Sequence, residues 1–108
     1  MKVSYRQAAK DDVIRQFRYY LLELHLPEIA VRFRNAVMQT IRSLCQRPRV
    51  GALYTSNNPQ RQGLRSWPVR GFEALRIYYL VDRGVIEIVR VLHGKRDVKG
   101  VLEDEPPG

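Results

Sequence analysis

The residues of this chain that could carry out chemistry are basic and lie in its second half. They are Arg65, Arg76, Arg90 and His93. Arginines around one histidine could cleave RNA without a metal. One group would take the 2′-hydroxyl proton, another would protonate the leaving oxygen, and a guanidinium would stabilise the charged transition state. The competing interpretation is that these side chains are solvated charges at a sheet edge, with Arg96 and Asp97 pairing locally. The sequence alone favours this second interpretation.

The sequence does not contain the motifs of other kinds of functional site. The chain has no glycine-rich phosphate loop, no paired cysteines, no HExxH and no nucleophile elbow around a serine. Its two histidines, His25 and His93, are far apart and have no acidic ligand beside them. We therefore expect no metal and no cofactor. Cys45, the single cysteine, excludes an internal disulfide and is expected to fill a small space in the core.

The charge balance indicates an acidic macromolecule as the partner. Among 108 residues, 19 Lys and Arg oppose 11 Asp and Glu, a formal net charge of +8, and 15 of the basic residues are arginines. Arginine offers a planar fork for phosphates and carboxylates, so nucleic acid or an acidic protein is expected to bind. The chain has no apolar run that could cross a membrane and no apolar signal segment. Its single cysteine fits a reducing compartment, so we expect a cytoplasmic protein.

A strand and an amphipathic helix are predicted first. Lys2 to Arg6 alternates apolar and polar side chains, which predicts a short edge strand. From Gln7 to about Leu26, apolar residues recur at steps of three and four and predict a helix. Asp11 and Asp12 lie in its early turns, where a carboxylate favours the helix dipole. The predicted apolar stripe consists of Val13, Ile14, Phe17, Tyr20, Leu21 and Leu24.

A second helix is predicted from Pro27, because proline is tolerated at a first helical position. Pro48 and Gly51 mark its end. The short link between the two helices predicts an antiparallel helical hairpin. The apolar stripe of the second helix consists of Ala30, Phe33, Val37, Ile41 and Leu44.

A three-strand meander comes next. Leu64–Val69 predicts a short strand, with Pro68 at its end or edge because proline lacks a backbone donor. Leu75–Val81 and Val85–Leu92 are rich in Val, Ile and Tyr and predict two longer strands. The link Asp82-Arg83-Gly84 joins them as a hairpin.

Two aromatic positions of the meander remain open between core and partner surface. Tyr78 and Tyr79 are neighbours on one strand, so only one of them can lie on an open face and stack on bases. The other is expected in the core. Trp67 shares the parity of Arg65 and either packs in the core or joins a partner surface.

The remaining segments complete one predicted domain, residues 1–102. Arg49–Gly63 contains many turn formers and is expected to be a mobile loop. Asp97 is expected to cap a short helix from Val98 to Leu102, and residues 103–108 are expected to form a frayed tail. The predicted fold is α+β in the order β-α-α-β-β-β. In it, a helical hairpin packs on one face of a small antiparallel sheet and leaves an edge and the other face open.

The order and spacing of several short motifs resemble the ParE branch of the ParE/RelE superfamily, toxins of bacterial type II toxin–antitoxin modules. The resemblance extends from Val3 to about Leu102 and implies the same β-α-α-β-β-β fold. The motifs are Leu64-Arg65-Ser66-Trp67-Pro68-Val69, Gly71-Phe72, Ile77-Tyr78-Tyr79, Arg90-Val91-Leu92-His93-Gly94 and Arg96-Asp97.

The resemblance also implies a function. The ParE branch implies a toxin that acts on DNA gyrase without catalysis of its own. The RelE branch, which is the alternative, implies a ribosome-dependent messenger-RNA endoribonuclease. The ending His93-Gly94-x-Arg96-Asp97 is similar to ParE toxins, and no tyrosine comes after His93, so the gyrase hypothesis is preferred. Either branch implies a toxin–antitoxin hetero-oligomer with a cognate antitoxin. A ParD-like antitoxin would be acidic and would have a DNA-binding N-terminus.

Two sets of binding residues are predicted, and no residue is assigned as catalytic unless the ribonuclease alternative holds. The target-binding candidates are Arg65, Trp67, Arg76, Arg90, His93, Lys95 and Arg96. The antitoxin-binding candidates are Arg15, Arg18, Tyr19, Arg34 and Arg42. An acidic antitoxin tail could fold onto them as a helix in a groove or as an added strand.

Overall fold

The computed structural model describes residues 1–55, 59 and 62–103. Helices pack on a five-stranded sheet of order β1-β5-β4-β3-β2, and the predicted α+β fold is confirmed. The strands are β1 (Lys2–Tyr5), β2 (Ala52–Leu53), β3 (Arg65–Val69), β4 (Phe72–Asp82) and β5 (Val85–His93). The helices are α1 (Gln7–Arg18) and α2 (Pro27–Gln46). Two short π-helical segments come after α1 and β5, the first turn (Tyr19–Glu23) and the C-terminal turn (Lys99–Glu103).

The β4–β5 hairpin forms the centre of the sheet, as the sequence predicts. Asp82 pairs with Val85, so the loop consists of Arg83 and Gly84 alone. Both loop residues have positive φ, 48° and 80°. This is the backbone of a tight two-residue turn whose twist matches that of the flanking strands. Gly84 adopts it without steric cost, whereas Arg83 occupies a region that side chains disfavour.

The sequence predicts the strand at one edge of the sheet but not the strand at the other edge. β1 lies at one edge, as expected, but it runs parallel to β5, so the sheet is mixed rather than antiparallel. At the other edge, Ala52–Leu53 pairs with β3. The prediction of a loop over Arg49–Gly63 is therefore wrong at these two residues, where a two-residue strand carries no periodic signal. Residues 56–58 and 60–61 of that loop lie outside the described residues.

The main core lies between the helices and one face of the sheet, called here the helix face. Every residue of the predicted α2 stripe is buried, so this prediction is confirmed. The rings of Tyr20, Phe33 and Phe72 meet with centroids 5.5–5.9 Å apart. They join the first turn, α2 and the start of β4. Cys45 is half-buried against this core, as expected.

The α1 stripe is only partly correct. Val13 and Tyr20 pack against the core, but Ile14 is 54 % exposed and Leu24 42 %. Leu24 is exposed because it follows the π-helical segment Tyr19–Glu23. A π-helix has more residues per turn than an α-helix, so the side chains after this segment are rotated away from the predicted stripe. The bond of this segment runs from the Leu24 amide to the Tyr19 carbonyl, 3.1 Å. The face of α1 that contacts the core is narrower than the apolar stripe predicted from the sequence, and Ile14 lies outside it.

The second face of the sheet is partly covered, although it was expected to be open. Leu64, Tyr78, Val89 and Leu92 form a second apolar cluster there, and Leu102 of the C-terminal turn is fully buried against it. Tyr78 and Tyr79 face opposite sides as predicted, yet both are core residues, 2 % and 0 % exposed.

The segment after β5 forms a helical turn close to its predicted position. The Asp97 carboxylate accepts a hydrogen bond from Arg96 Nε at 3.1 Å, so the predicted local pair is present. The Asp97 carbonyl accepts from the Val101 amide at 3.1 Å. Residues 104–108 of the expected tail lie outside the described residues. None of the helices within the described part of the chain has the length and apolarity needed to cross a membrane.

Candidate functional site

Arg90 is held by a buried carboxylate on α1. Its Nε donates to Asp12 Oδ2 and its Nη2 to Asp12 Oδ1, both at 2.8 Å. Asp12 Oδ2 also accepts the Val91 amide at 3.0 Å. The Asp12 side chain is 2 % exposed and that of Arg90 11 %. Asp12 thus pairs with β5, where the prediction gave it only a role near the start of the helix. It attaches α1 to the edge of β5 beyond the end of β1.

A β-bulge in β5 accompanies the change of direction at Arg90. Tyr78 pairs with Arg90 and Tyr79 with Ile88, so Val89 is an extra residue opposite β4. A bulge re-aims the side chains beside it. Val89 packs on the second face, and Arg90 turns to α1. Simple alternation from Ile86 and Ile88 assigns Arg90 to the helix face but names no partner, and Asp12 is 78 residues away, which is why the pairing is not visible in the sequence.

Arg65 is bound to the connection between α2 and β2. Its Nη1 donates to the carbonyls of Arg49 at 3.1 Å and Gly51 at 2.8 Å. The Tyr79 hydroxyl accepts the Gly51 amide at 2.9 Å and donates to the Pro48 carbonyl at 2.8 Å. Burial raises the pKa of Tyr79. A Cβ added at Gly51 would overlap the Tyr79 hydroxyl and lie 2.8 Å from Tyr79 Cε1, so only glycine fits there.

Arg76 lies on the second face of the sheet. Its Nε and Nη2 donate to Ser66 Oγ at 3.2 and 3.0 Å. A Cβ added at Gly94 would lie 2.8 Å from Arg76 Cδ and 3.7 Å from the Tyr78 oxygen. The Gly94 backbone therefore packs closely on Arg76. Burial raises the pKa of Tyr78.

His93 ends β5 and faces the helix side, because it pairs with buried Leu75. Its Nδ1 accepts the backbone amides of Lys95 at 3.3 Å and Arg96 at 3.0 Å. A neutral imidazole that accepts at Nδ1 carries its proton on Nε2. His93 therefore presents an Nε2–H donor, and its other nitrogen holds the turn that places Arg96.

The four residues of the ribonuclease hypothesis do not form one cluster. Arg65 is on the helix face beside β2, Arg76 is on the second face, and Arg90 is enclosed by Asp12. A general base, a general acid and a cation must act on one phosphate, which needs side chains that converge. The structure places these side chains at separate points around the sheet.

His93 does meet residues of α1 in an open groove at the end of the sheet, called here the basic groove. Arg15 and Arg96 lie at its rim with side chains 73 % and 69 % exposed. Tyr19, 47 % exposed, also lines it. The groove encloses about 480 Å³. Two residues predicted to bind the target thus meet two predicted to bind the antitoxin.

Electrostatics keep the rim of the basic groove cationic. The hydrogen bond to the Asp97 carboxylate, and then its charge, raise the pKa of Arg96 above its ordinary value, and Tyr19 adds to this. Arg15 Nη1 lies 3.4 Å from Asp12 Oδ1, a longer contact than the bonds that Arg90 makes to the same carboxylate. The Arg15 and Arg96 guanidiniums are therefore accessible to an anionic ligand.

A second groove, called here the helical groove, opens between β1, α1 and α2. Tyr5, Ile14 and Met38 line it and are 38 %, 54 % and 45 % exposed. Lys10 and Arg34 add positive charge to an otherwise apolar lining. The groove encloses about 430 Å³, and Val37, Ile41, Ile88 and Val91 contribute buried walls. Its size and composition suit the apolar face of a partner segment.

The antitoxin-binding candidates are distributed over the helices. Arg15, Arg18 and Tyr19 line a shallow depression of about 530 Å³ on the outer face of α1. Arg34 lines the helical groove and lies 5.8 Å above the ring of Phe17. Arg42 is exposed on α2. The structure therefore joins three of the five candidates in one surface.

The remaining target-binding candidates lie apart from the basic groove or at its border. Trp67 is half-buried against the main core and lines a cleft of about 310 Å³ with Thr40 and Arg70. Lys95 is exposed in the turn after His93. Among the described residues, no three His, Cys, Asp or Glu side chains come together in a way that could hold a metal ion.

The three exposed apolar residues of the helical groove are absent from the sequence-based candidates. Tyr5, Ile14 and Met38 are apolar and exposed, whereas the candidates on the helices were selected mainly for charge. The sequence carries no separate signal for them, because Ile14 fits the single apolar stripe predicted for α1, and Tyr5 and Met38 lie on β1 and α2.

Comparison with known proteins identifies the family. The family model described as ParE toxin of type II toxin-antitoxin system, parDE, matches residues 3–98. The structure is similar to the "Chromosomal ParDE TA system from P. aeruginosa", with a TM-score of 0.69 and 22 % identity, covering 86 % of this chain and 95 % of that chain. It is also similar to the "YoeB/ParE toxin from Agrobacterium tumefaciens", with a TM-score of 0.53 and 16 % identity, covering 86 % and 98 %. A search among curated proteins found no match.

Proposed function

Because the chain belongs to the ParE toxin family of type II toxin–antitoxin systems, we propose that it inhibits DNA gyrase and so stops replication in the cytoplasm. The observation that carries this proposal is the family match over residues 3–98, a range that includes every residue lining the two grooves. Gyrase inhibition is typical of this family. No catalysis by the toxin is required, because the toxin would act by holding the gyrase–DNA intermediate.

The exposed charges at the end of β5 support a role in contacting this target. Lys95 and Arg96 are exposed in a turn that His93 Nδ1 holds in place. The chain carries a net charge of +8, which accelerates encounters with a complex that contains DNA. We therefore assign Arg96 to target binding, with His93 as the residue that positions it.

A supercoiling assay tests the proposal. Purified toxin is added to gyrase, ATP and relaxed plasmid, and the expected result is loss of supercoiling with accumulation of protein-linked linear DNA. Arg96→Ala should need about tenfold more toxin for the same effect, as expected when a charged contact is lost. Arg32→Ala, an equal charge change at an exposed position on α2, is the matched control. Full supercoiling in excess toxin would contradict the proposal.

Neutralisation by a ParD-like antitoxin is the second part of the proposal, and the helical groove supports it. An exposed apolar groove needs a partner to cover it. An amphipathic acidic segment would bury Ile14 and Met38 and place carboxylates near Lys10 and Arg34. Such a segment, disordered before binding, would become ordered on the toxin and form the toxin–antitoxin hetero-oligomer.

Two substitutions on α2 test the position of the antitoxin. Met38→Glu places a charge in the helical groove and should weaken antitoxin binding at least about tenfold, because a carboxylate resists burial in an apolar site. Val31→Glu is the matched control, since Val31 is 41 % exposed on the same helix and Met38 45 %. Titration calorimetry with the product of the adjacent reading frame measures both. Equal affinities of the two variants would place the antitoxin elsewhere.

The ribonuclease alternative has less support. Its residues Arg65, Arg76 and Arg90 each bind a different partner in the fold, and His93 holds a turn. Incubation of the toxin with translating ribosomes provides the check. Messenger RNA is expected to remain intact, and cleavage at a defined codon position would restore the alternative.

A further inference from the structure

The basic groove contains more than the Arg96 and His93 that the proposed gyrase contact uses. Two exposed guanidiniums, Arg15 and Arg96, share it with the half-exposed ring of Tyr19. The polar lining also contains donors and acceptors, Gln16 and Glu73. The Nε2–H of His93 adds a donor whose tautomer is fixed by the two bonds to Nδ1.

We propose that the basic groove binds one unpaired nucleotide of a single-stranded nucleic acid. Arg15 and Arg96 would bind the phosphate, because guanidiniums form charge-assisted hydrogen bonds to phosphate oxygens. Tyr19 would stack on the base, since every base has a π-face and stacking needs no particular sequence. The site is distinct from the helical groove and does not depend on gyrase inhibition.

The acidic residue in the groove favours a nucleotide over an acidic peptide. Glu73 accepts the Gly71 amide through Oε2, and a carboxylate has further acceptor capacity beyond one such bond. The Glu73 carboxylate would repel a carboxylate that an acidic peptide placed beside it. The amino group of a base is a donor that Glu73 or the Gln16 amide oxygen can accept. The mixture of two cations, one anion and one amide therefore matches a base attached to a phosphate.

The shape of the groove favours an unpaired nucleotide over a duplex. Its volume of about 480 Å³ is within the range of pockets that take a small ligand, and it is open on one side so that a strand could continue. A duplex presents phosphates but hides the faces of its bases, so it could engage the arginines and not Tyr19. Stacking thus separates this site from general attraction to DNA by a chain of charge +8.

Fluorescence anisotropy with a labelled oligodeoxycytidylate of about twelve nucleotides tests the proposal, because cytosine carries the amino group that the groove would accept and the length is within the site sizes of single-strand binding domains. The wild-type chain should bind it saturably at low salt, and Tyr19→Ala should weaken binding about tenfold or more, the range seen when one stacked base loses its ring. Tyr19→Phe keeps the ring and should bind within about twofold of wild type. Arg15→Ala should weaken binding, and Arg32→Ala, an equal loss of charge outside the groove, should change it less.

Parallel probes distinguish the possible ligands. Equally tight binding of an RNA of the same length, if it also depends on Tyr19, would support the site and would indicate no preference for deoxyribose. Duplex binding that is as tight as single-strand binding and indifferent to Tyr19→Ala would overturn it. Displacement of the oligonucleotide by oligoglutamate at equal charge, again without dependence on Tyr19, would overturn it in favour of an acidic peptide.

The test is separate from that of the proposed function. Tyr19 is exposed on the surface, so Tyr19→Ala is expected to fold, and circular dichroism with thermal melting verifies this. Gyrase inhibition by a chain that binds no oligonucleotide would overturn the nucleotide site and leave the gyrase proposal intact. Oligonucleotide binding without gyrase inhibition would support the nucleotide site and contradict the gyrase proposal.

Discussion

Arg90 and Arg96 belong to neighbouring regions of this molecule and have opposite roles. At the junction of α1 and β5, Asp12 binds the Arg90 guanidinium through two 2.8 Å bonds, and both side chains are almost fully buried. In the basic groove, Arg96 is 69 % exposed and pairs with a carboxylate in solvent. The difference teaches that a buried carboxylate opposite an arginine commits it to the fold, whereas an exposed pair leaves the arginine available to a ligand.

The largest effect is expected from Arg90→Ala. The change leaves the buried Asp12 carboxylate paired only through the longer 3.4 Å contact to the exposed Arg15, which costs about 3–5 kcal/mol of unfolding free energy. Urea denaturation followed by circular dichroism measures it. Arg90→Lys keeps the charge but loses the planar fork, so an intermediate loss is expected. A stability loss no greater than that of Arg96→Ala would show that the comparison between the two regions is wrong.

A somewhat smaller effect is expected from Leu102→Ala in the C-terminal turn. Leu102 is fully buried against the second face of the sheet, so removal of its side chain should cost about 2–5 kcal/mol. Leu53→Ala is the control, because Leu53 is 63 % exposed and its loss should change stability by less than about 0.5 kcal/mol. Thermal melting compares the two variants. Equal melting temperatures would mean that the turn is not part of the cooperative fold.

Tyr79→Phe tests the connection between α2 and β2. Removal of the hydroxyl leaves the Gly51 amide and the Pro48 carbonyl without this partner, which is expected to cost about 1–3 kcal/mol. Chemical denaturation measures the loss. The basic groove is remote from this hydroxyl in the fold, so oligonucleotide affinity should stay at the wild-type value. A variant as stable as wild type would mean that water replaces both bonds.

Stability is also expected to fall at high pH. Burial raises the pKa of Tyr79 and of Tyr78 above the ordinary 10.0. Above that value the unfolded chain loses the phenolic protons while the folded chain retains them, so the unfolded state binds fewer protons and stability decreases as pH rises. The contribution is complete below the unfolded pKa and is lost through the folded pKa. Melting temperatures measured from about pH 8 to about pH 11, a range that spans the ordinary tyrosine pKa, check this, and Tyr79→Phe should show a shallower decline.

The smallest effect on stability is expected from Arg96→Ala. Its side chain is largely in solvent and its ion pair is local, so the melting temperature should stay within experimental error of wild type. Toxicity in a host without antitoxin should nevertheless decrease. Growth curves beside melting curves make the comparison. A loss of folding that matched the loss of toxicity would assign Arg96 a structural role and remove the contrast with Arg90.

The predictability of these features from sequence depends on the strength of their periodic patterns. The β4–β5 hairpin and the α2 stripe were predicted because long runs repeat one pattern and turn residues mark their ends. β2 was missed because two residues contain no period. The burial of Arg90 was missed because it depends on a bulge and on Asp12, which is far away in the sequence.

The candidate site was predictable in its residue types and not in its groupings. Arg15 and Tyr19 were assigned to one partner, and His93 and Arg96 to another, yet all four line the same groove. Their proximity results from the packing of α1 on the sheet, which no local pattern encodes. The helical groove has no comparable signal in the sequence, because its exposed apolar residues Tyr5, Ile14 and Met38 lie on three different elements that only the fold brings together.

The position of β5 determines when this molecule can become harmful. β5 follows the other four strands of the described residues, yet it pairs with β1, the first of them, and through Arg90 and Val91 it holds α1. A polypeptide still being synthesised, with residues up to Asp82 exposed, lacks the element that brings its beginning and its end together. Both grooves borrow residues from β5 or from the turn after it, so neither forms before this part of the chain has been made and has packed against β1 and α1. A chain that stops before β5 should therefore be inert, because it lacks the residues that complete both grooves.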